Sequence, residues 1–264
     1  MMDAEFLGVL FENWLGSFLL VVARMTGFVT QAPILSEQTI AVPAKAGIIF
    51  LFALLGNFFT DALSAEQLES LNYLTSLLLN LLIGFLIGFI ANLFISITEV
   101  AGEILDVQLG LNSSVIMVGG IQSTVFSRTL RNLGLLVFLY LGGMEMTLYS
   151  LAESFRTFPL SEVNLGSLDF RLENVIDLTK DVMMLGILTA SPILVIIVFQ
   201  DLVLGLMSRA AQQINPFQLS FSLKPLVGML VLVFCLPFIY EKMIWLLEHS
   251  TPALFWNPPS LGYN

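Results

Sequence analysis

Residues Tyr73–Ile97 read YLTSLLLNLLIGFLIGFIANLFISI, a stretch without one charged side chain. As an α-helix it rises 1.5 Å per residue, enough to cross a hydrocarbon layer of about 30 Å with some tilt. A charge at the bilayer centre costs about 2.5–3.5 kcal/mol on insertion scales, so a run this long without one reads as a membrane helix. Further apolar runs lie at 14–32, 46–60, 132–152, 182–200 (continuing toward 207) and 225–240. They predict an all-α, multi-helix integral membrane protein with six spans, residues 1–264 forming a single membrane domain.

Composition agrees. Hydrophobic residues make up 57% of the 264 and charged residues 11%, against about 25% charged in soluble proteins. Mean hydropathy is +0.90. The net charge is −10, and the ten Lys and Arg are scattered singly. That excludes nucleic acid as a partner, because phosphate binding needs clustered cations. With one cysteine, Cys235, and one histidine, His249, neither a disulfide framework within the chain nor a His/Cys zinc cluster is available. Cys235 lies in an apolar run and reads as an inert buried thiol. A Ser-His-Asp arrangement would depend on His249, close to Pro252, Pro258 and Pro259. No enzyme chemistry and no cofactor are expected. Asp3, Glu5 and Glu12 stand where a cleaved signal would be basic, so the first apolar run is expected to stay as an anchor.

Between the runs, residues 61–72 carry Asp61, Glu66 and Glu69 and no base. Residues 98–131 read as a non-spanning segment with Glu99, Glu103 and Asp106. Residues 153–181 read as a charged connection and 208–222 as a polar one. Arg128, Arg131, Arg209 and Lys224 favour 98–131 and 208–224 on the cytoplasmic side, 61–72 on the far side and both termini outside.

Gly84 and Gly88 form a GxxxG in the opening stretch, which lets another helix approach closely. Arg24, Glu99, Glu145 and Asp201 are charges in or beside apolar runs. Such charges form an ion path or pair across helices or subunits; the acids are far apart in sequence, which favours pairing. Pro192, in TASPILV, removes the helical bond to the carbonyl near residue 188 and predicts a kink, with Thr189 and Ser191 able to serve the freed groups. Leu109–Gln122, LGLNSSVIMVGGIQ, holds Gly110, Gly119 and Gly120. Glycine permits a backbone that is neither helix nor strand, tolerated at membrane depth only inside protein or along a cavity. Val115, Ile116, Met117 and Val118 would then fill a constriction; the other reading is an ordinary surface loop.

Taken in order, several short elements resemble the FliR family of type III export membrane proteins, over residues 14–247. They are VARMTGFVTQAPIL with Arg24 and Pro33, then Pro43 and Lys45; AGEILDVQLGL at 101–111; LAESFRTFP with Ser154, Phe155 and Pro159; TASPILVIIVFQDLVLGLMSRA; QIN at 213–215; and Lys224. The sequence departs from the family pattern at Gln212 and Pro216, near Met117 and Val118, and at Met144 and Glu145. The resemblance implies a subunit of the flagellar export gate, a helical hetero-oligomer in which helical hairpins assemble with FliP-like and FliQ-like chains. FlhB-like and FlhA-like proteins are the further partners. The gate lies in the bacterial inner membrane within the basal body, raised toward the periplasm, and passes unfolded flagellar proteins. It also implies that the loop at 106–122 plugs the channel through Gly110, Val115–Val118, Gly119 and Gly120. Arg24, Lys45, Glu99, Glu103, Glu145, Asp201, Arg209 and Lys224 become intersubunit pairing sites. The alternatives are an injectisome gate subunit and a small-solute transporter using Arg24, Glu145 and Asp201.

Overall fold

A computed structural model describes residues 4–37, 40–57, 73–110, 116–118, 121–123, 125–160, 165–210, 219–220 and 223–231, with separate positions as far as 244. Among the described residues the main helices are α1 (Ala4–Gln31), α2 (Val42–Gly56), α3 (Tyr73–Gln108), α4 (Val125–Tyr140), α5 (Gly143–Thr157) and α6 (Leu165–Ala210). Further helical residues follow at 223–231. The fold is all-α, with one small exception. Two three-residue strands, β1 (Ile116–Val118) and β2 (Ile121–Ser123), pair antiparallel with Met117 opposite Gln122. Part of the segment expected to be neither helix nor strand is therefore a β-ladder. The β-branched residues Ile116, Val118 and Ile121 suit such a ladder.

Hydropathy misplaced several helix ends. Charges end a lipid-compatible stretch, but they do not end a helix whose polar groups find partners. So α3 runs on past Ile97 to Gln108 and takes in Glu99, Glu103 and Asp106, which hydropathy alone assigns to a non-spanning segment. Likewise α6 begins at Leu165, inside the expected connection 153–181, and continues to Ala210. The run 132–152 is instead broken between α4 and α5, where Gly142 takes φ 75°, a left-handed conformation that a side chain resists. Among the described residues, two helices are long and apolar enough to cross a membrane, Tyr73–Gln108 and Ile176–Arg209. A third appears only if α4 and α5 count as one broken span. Six spans are not found among those residues, since α2 is too short and the 225–240 run is described only in part.

The chain divides into two compact units: Met1–Asn92 with Gly142–Ile176 and Thr251–Asn264, and Leu93–Leu141 with Asp177–Ser250. In the first, α1 and the early part of α3 run parallel. Residues about 57 apart meet all along them: the Tyr73 hydroxyl donates to the Gly16 carbonyl at 3.1 Å, and Arg24 reaches Asn80. Phe28, Val29, Ile83, Ile87 and Phe155 lie in the buried core here. Three glycines set the spacing. A Cβ on Gly84 would collide with the Arg24 carbonyl, one on Gly88 would lie 2.7 Å from the Phe28 carbonyl, and one on Gly27 would strike the Leu81 carbonyl. The helix backbones touch, and nothing larger than hydrogen fits between them.

In the second unit, the late part of α3 and α4 form an antiparallel hairpin. One side of α3, at intervals of four residues, meets α4 in reverse order. Phe94 stacks on Phe138 with centroids 6.2 Å apart, a Cβ on Gly134 would collide with Thr98, and a Cβ on Gly102 would collide with the Ser127 backbone. Asp106 then reaches Phe126 and Ser127.

Candidate functional site

The root of the loop between α3 and α4 is held by one carboxylate. Asp106 is fully buried in the last turn of α3. The Phe126 N–H donates to its Oδ1 at 3.1 Å and the Ser127 N–H to its Oδ2 at 2.7 Å. Both amides belong to the first turn of α4, where helix N–H groups have no intrahelical acceptor. An anion also suits the positive end of a helix. Asp106 thus caps α4 from 20 residues upstream. Glu99 and Arg131 form an ion pair at 2.5 Å, one to two turns further from the root. Leu109 is buried, and a Cβ on Gly228 would lie 3.0 Å from its side chain. Gly110 follows with φ 69°.

The loop itself is described only in part. Ile116, Met117 and Val118 form β1, while Val115, Gly119 and Gly120 lie outside the described residues. The same is true of Cys235, His249, the acidic stretch 61–72 and the QIN element at 213–215.

The predicted charged residues fall into two groups. Arg24, Lys45, Glu99, Asp201 and Lys224 have partners within the chain. Lys224 joins Asp201 at 2.9 Å, so two of the predicted residues meet. Lys45 donates to the Ser36 carbonyl at 3.0 Å, tying α2 to the turn after α1. Glu103, Glu145 and Arg209 are exposed. On α6, the Ser191 hydroxyl donates at 2.7 Å to the Leu188 carbonyl, the acceptor that Pro192 leaves without an N–H. The Thr189 hydroxyl oxygen and the Gln200 amide are buried without a hydrogen-bond partner.

Arg24 is fully buried. Nε donates to Asn80 Oδ1 at 3.0 Å, and Nη2 donates to the same oxygen and to the Phe158 carbonyl at 2.8 Å. Nη1 donates to the Ser154 carbonyl at 2.9 Å and to its hydroxyl at 3.3 Å. The guanidinium carbon stands 4.3 Å from the Phe155 ring centroid. The five bonds match the five donors of the group. Ser154 and Phe158 close the C-terminus of α5, the negative end of its dipole, so backbone does the work of a counter-ion. Asn80 is set by its own amide nitrogen, which donates to the Ser76 carbonyl at 2.8 Å.

Sequence reasoning missed Asn80, Asp106 and Arg131 as structural partners. A signal existed for the first, a lone Asn among the leucines of LLLNLL. Among the described residues no three His, Cys, Asp or Glu gather as a metal site. A cavity of about 420 Å³ beside α4 has a mostly apolar wall that includes Leu130, Val137 and Leu236, with Thr98 and Tyr240 also lining it.

Comparison with known proteins gives this framework an identity. FliR, a flagellar biosynthetic protein, from Pectobacterium carotovorum subsp. carotovorum is 29% identical over 233 residues, 86% of this chain and 87% of the relative. FliR from Escherichia coli K12 is 26% identical over 236 residues with the same coverage. SpaR of Shigella flexneri, a surface presentation of antigens protein, is 28% identical over 158 residues; the chain there spans only 60% of the relative's length. The family model of bacterial export proteins, family 1, matches residues 15–250, so this chain belongs to that family and is a FliR-family membrane protein of the type III export apparatus.

Proposed function

We propose that the chain is a non-enzymatic subunit of the flagellar export gate, acting as one membrane domain in the inner membrane and raised toward the periplasm. It assembles with FliP-like and FliQ-like chains, beside FlhB-like and FlhA-like proteins, around a channel for unfolded flagellar proteins. Residues 109–122 close that channel. The observation that supports this reading is the position of the loop: it leaves the end of a long apolar helix, carries glycine and methionine, and is anchored at its root by Asp106. Gly110 and Val115–Gly120 form the closure. The exposed charges Glu103, Glu145 and Arg209 meet neighbouring subunits. Deleting residues 110–116 is expected to leave assembly intact and make membranes leak small ions. Membranes as tight as wild type would overturn the closure.

An injectisome role is the second reading, favoured by the similarity to SpaR. The matches to FliR of Pectobacterium carotovorum and Escherichia coli cover more of both chains than the match to SpaR and favour the flagellar branch. Restored swimming in a flagellated strain lacking its own FliR decides for the flagellar role, and restored needle secretion alone decides against it.

A further inference from the structure

The joint between α1 and α2 holds a backbone conformation that its residue resists. Ile34 takes φ 69°, the one positive φ outside glycine among the described residues. The Leu35 N–H donates to the Pro33 carbonyl at 2.8 Å, so Ile34 stands at the centre of a three-residue turn. With φ in this region such a turn is the rare, strained form, and a β-branched side chain strains it further. A conformation of this kind persists only where its surroundings over-determine it. Here two sides do so. Behind the turn, Ala32 is fully buried, and a Cβ on Gly88 of α3 would lie 2.8 Å from its nitrogen. The Ser36 N–H folds back onto the Ala32 carbonyl at 2.9 Å. Ahead of the turn, Lys45 in the first turn of α2 donates to the Ser36 carbonyl at 3.0 Å. The two sides differ in strength. α1 and α3 touch backbone to backbone. The first half of α2 is thinly packed: the buried residues of this helix, Ala53 and Gly56, lie in its last turn. Val42 is 79% exposed, and a Cβ on Gly47 would meet nothing within 4 Å.

We propose that residues 32–36 form a sprung joint: the strain at Ile34 favours release, and the Lys45 hydrogen bond to the Ser36 carbonyl is the catch that holds the first half of α2 in place. Release lets that half of α2 move while the α1–α3 contact stays rigid. The strain and the catch act in opposite directions on one opening, so relieving the strain must tighten α2, although the altered residue lies outside that helix.

The test is amide exchange over residues 42–50, followed by mass spectrometry on the full chain in its assembled complex. Lys45→Met removes the catch, and exchange there should be roughly tenfold faster, since a hydrogen bond from a charged donor is lost. Lys45→Arg keeps a donor and should stay near wild type. Glycine and asparagine tolerate a positive φ, so Ile34→Gly and Ile34→Asn should slow the same exchange several-fold. Ile34→Val keeps the β-branch and the strain, and should not slow it. In the double variant I34N/K45M the two effects should offset, leaving exchange close to wild type. Peptides from the first half of α3 should be unchanged throughout. Exchange as fast as wild type or faster in both I34G and I34N would show that Ile34 stores nothing, and would overturn the proposal. So would unchanged exchange in K45M, or a rise in K45M that α3 shares equally. If K45M yields no complex, the sign of the change in I34N still decides.

Discussion

Replacing Arg24 by methionine removes every donor from a site built of acceptors. Methionine fills much the same aliphatic volume, so the change is one of hydrogen bonding and not of space. The Ser154 carbonyl keeps one bond, from the Phe158 N–H at 2.9 Å, and the Ser154 hydroxyl still donates to the Leu151 carbonyl. Asn80 Oδ1 and the Phe158 carbonyl lose the bonds that Arg24 supplied. The stranded Asn80 Oδ1 costs about 1–3 kcal/mol, and the bond lost at the Phe158 carbonyl adds to that. Loss of the contact with the Phe155 ring adds about 1 kcal/mol. Against a total stability of about 5–15 kcal/mol this is a large fraction. R24M is therefore expected to lower the melting temperature of the purified complex strongly and to deplete the chain from membranes. Lysine restores the charge but has three donors on a point, and cannot span both Asn80 and the end of α5, so R24K should fall between. The double change R24M/N80L removes one stranded acceptor and should recover about 1–3 kcal/mol relative to the sum of the single changes. A wild-type melting curve for R24M, or strictly additive effects in the double change, would refute the account.

Gly84→Ala pushes a methyl into the Arg24 carbonyl and should cost about 1–3 kcal/mol, read as reduced recovery of intact complex. Gly47→Ala is the control: a Cβ there meets nothing within 4 Å, and the change should be neutral or slightly stabilising. Glu99→Gln breaks a partly exposed ion pair with Arg131 and should cost no more than about 1 kcal/mol, a small shift in melting. Charge reversal at exposed Glu145 should leave the chain's own melting unchanged and weaken co-purification of FliP-like and FliQ-like partners. Unchanged recovery of those partners would remove Glu145 from the interface.

The membrane character and the all-helical class were legible because they follow from composition and from long charge-free runs. Helix ends were not, because a charge met by a tertiary partner no longer stops a helix. Glu99 finds Arg131, and Asp106 finds two amides of α4, so α3 continues through both. The sequence elements that carried the family resemblance prove to be contacts seen one side at a time. Arg24 of the first element meets Ser154 and Phe155 of the third, and Asp201 meets Lys224. Spacing along the chain cannot pair them, since the partners of Arg24 lie 56, 130 and 134 residues away. The β-ladder was hidden for a different reason: each strand is three residues long, too short to display an alternation.

Helix α6 holds 46 residues, so at 1.5 Å each its helical path is about 69 Å long. Oil about 30 Å deep, entered at a slant of 40°, houses only about 39 Å of that path. The surplus of roughly 30 Å has to stand in water or in the shelter of other proteins. Asp169, Arg171, Glu173, Asp177, Lys180 and Asp181 all fall in its first 17 residues. A beam so much taller than its floor belongs in a building with more than one storey.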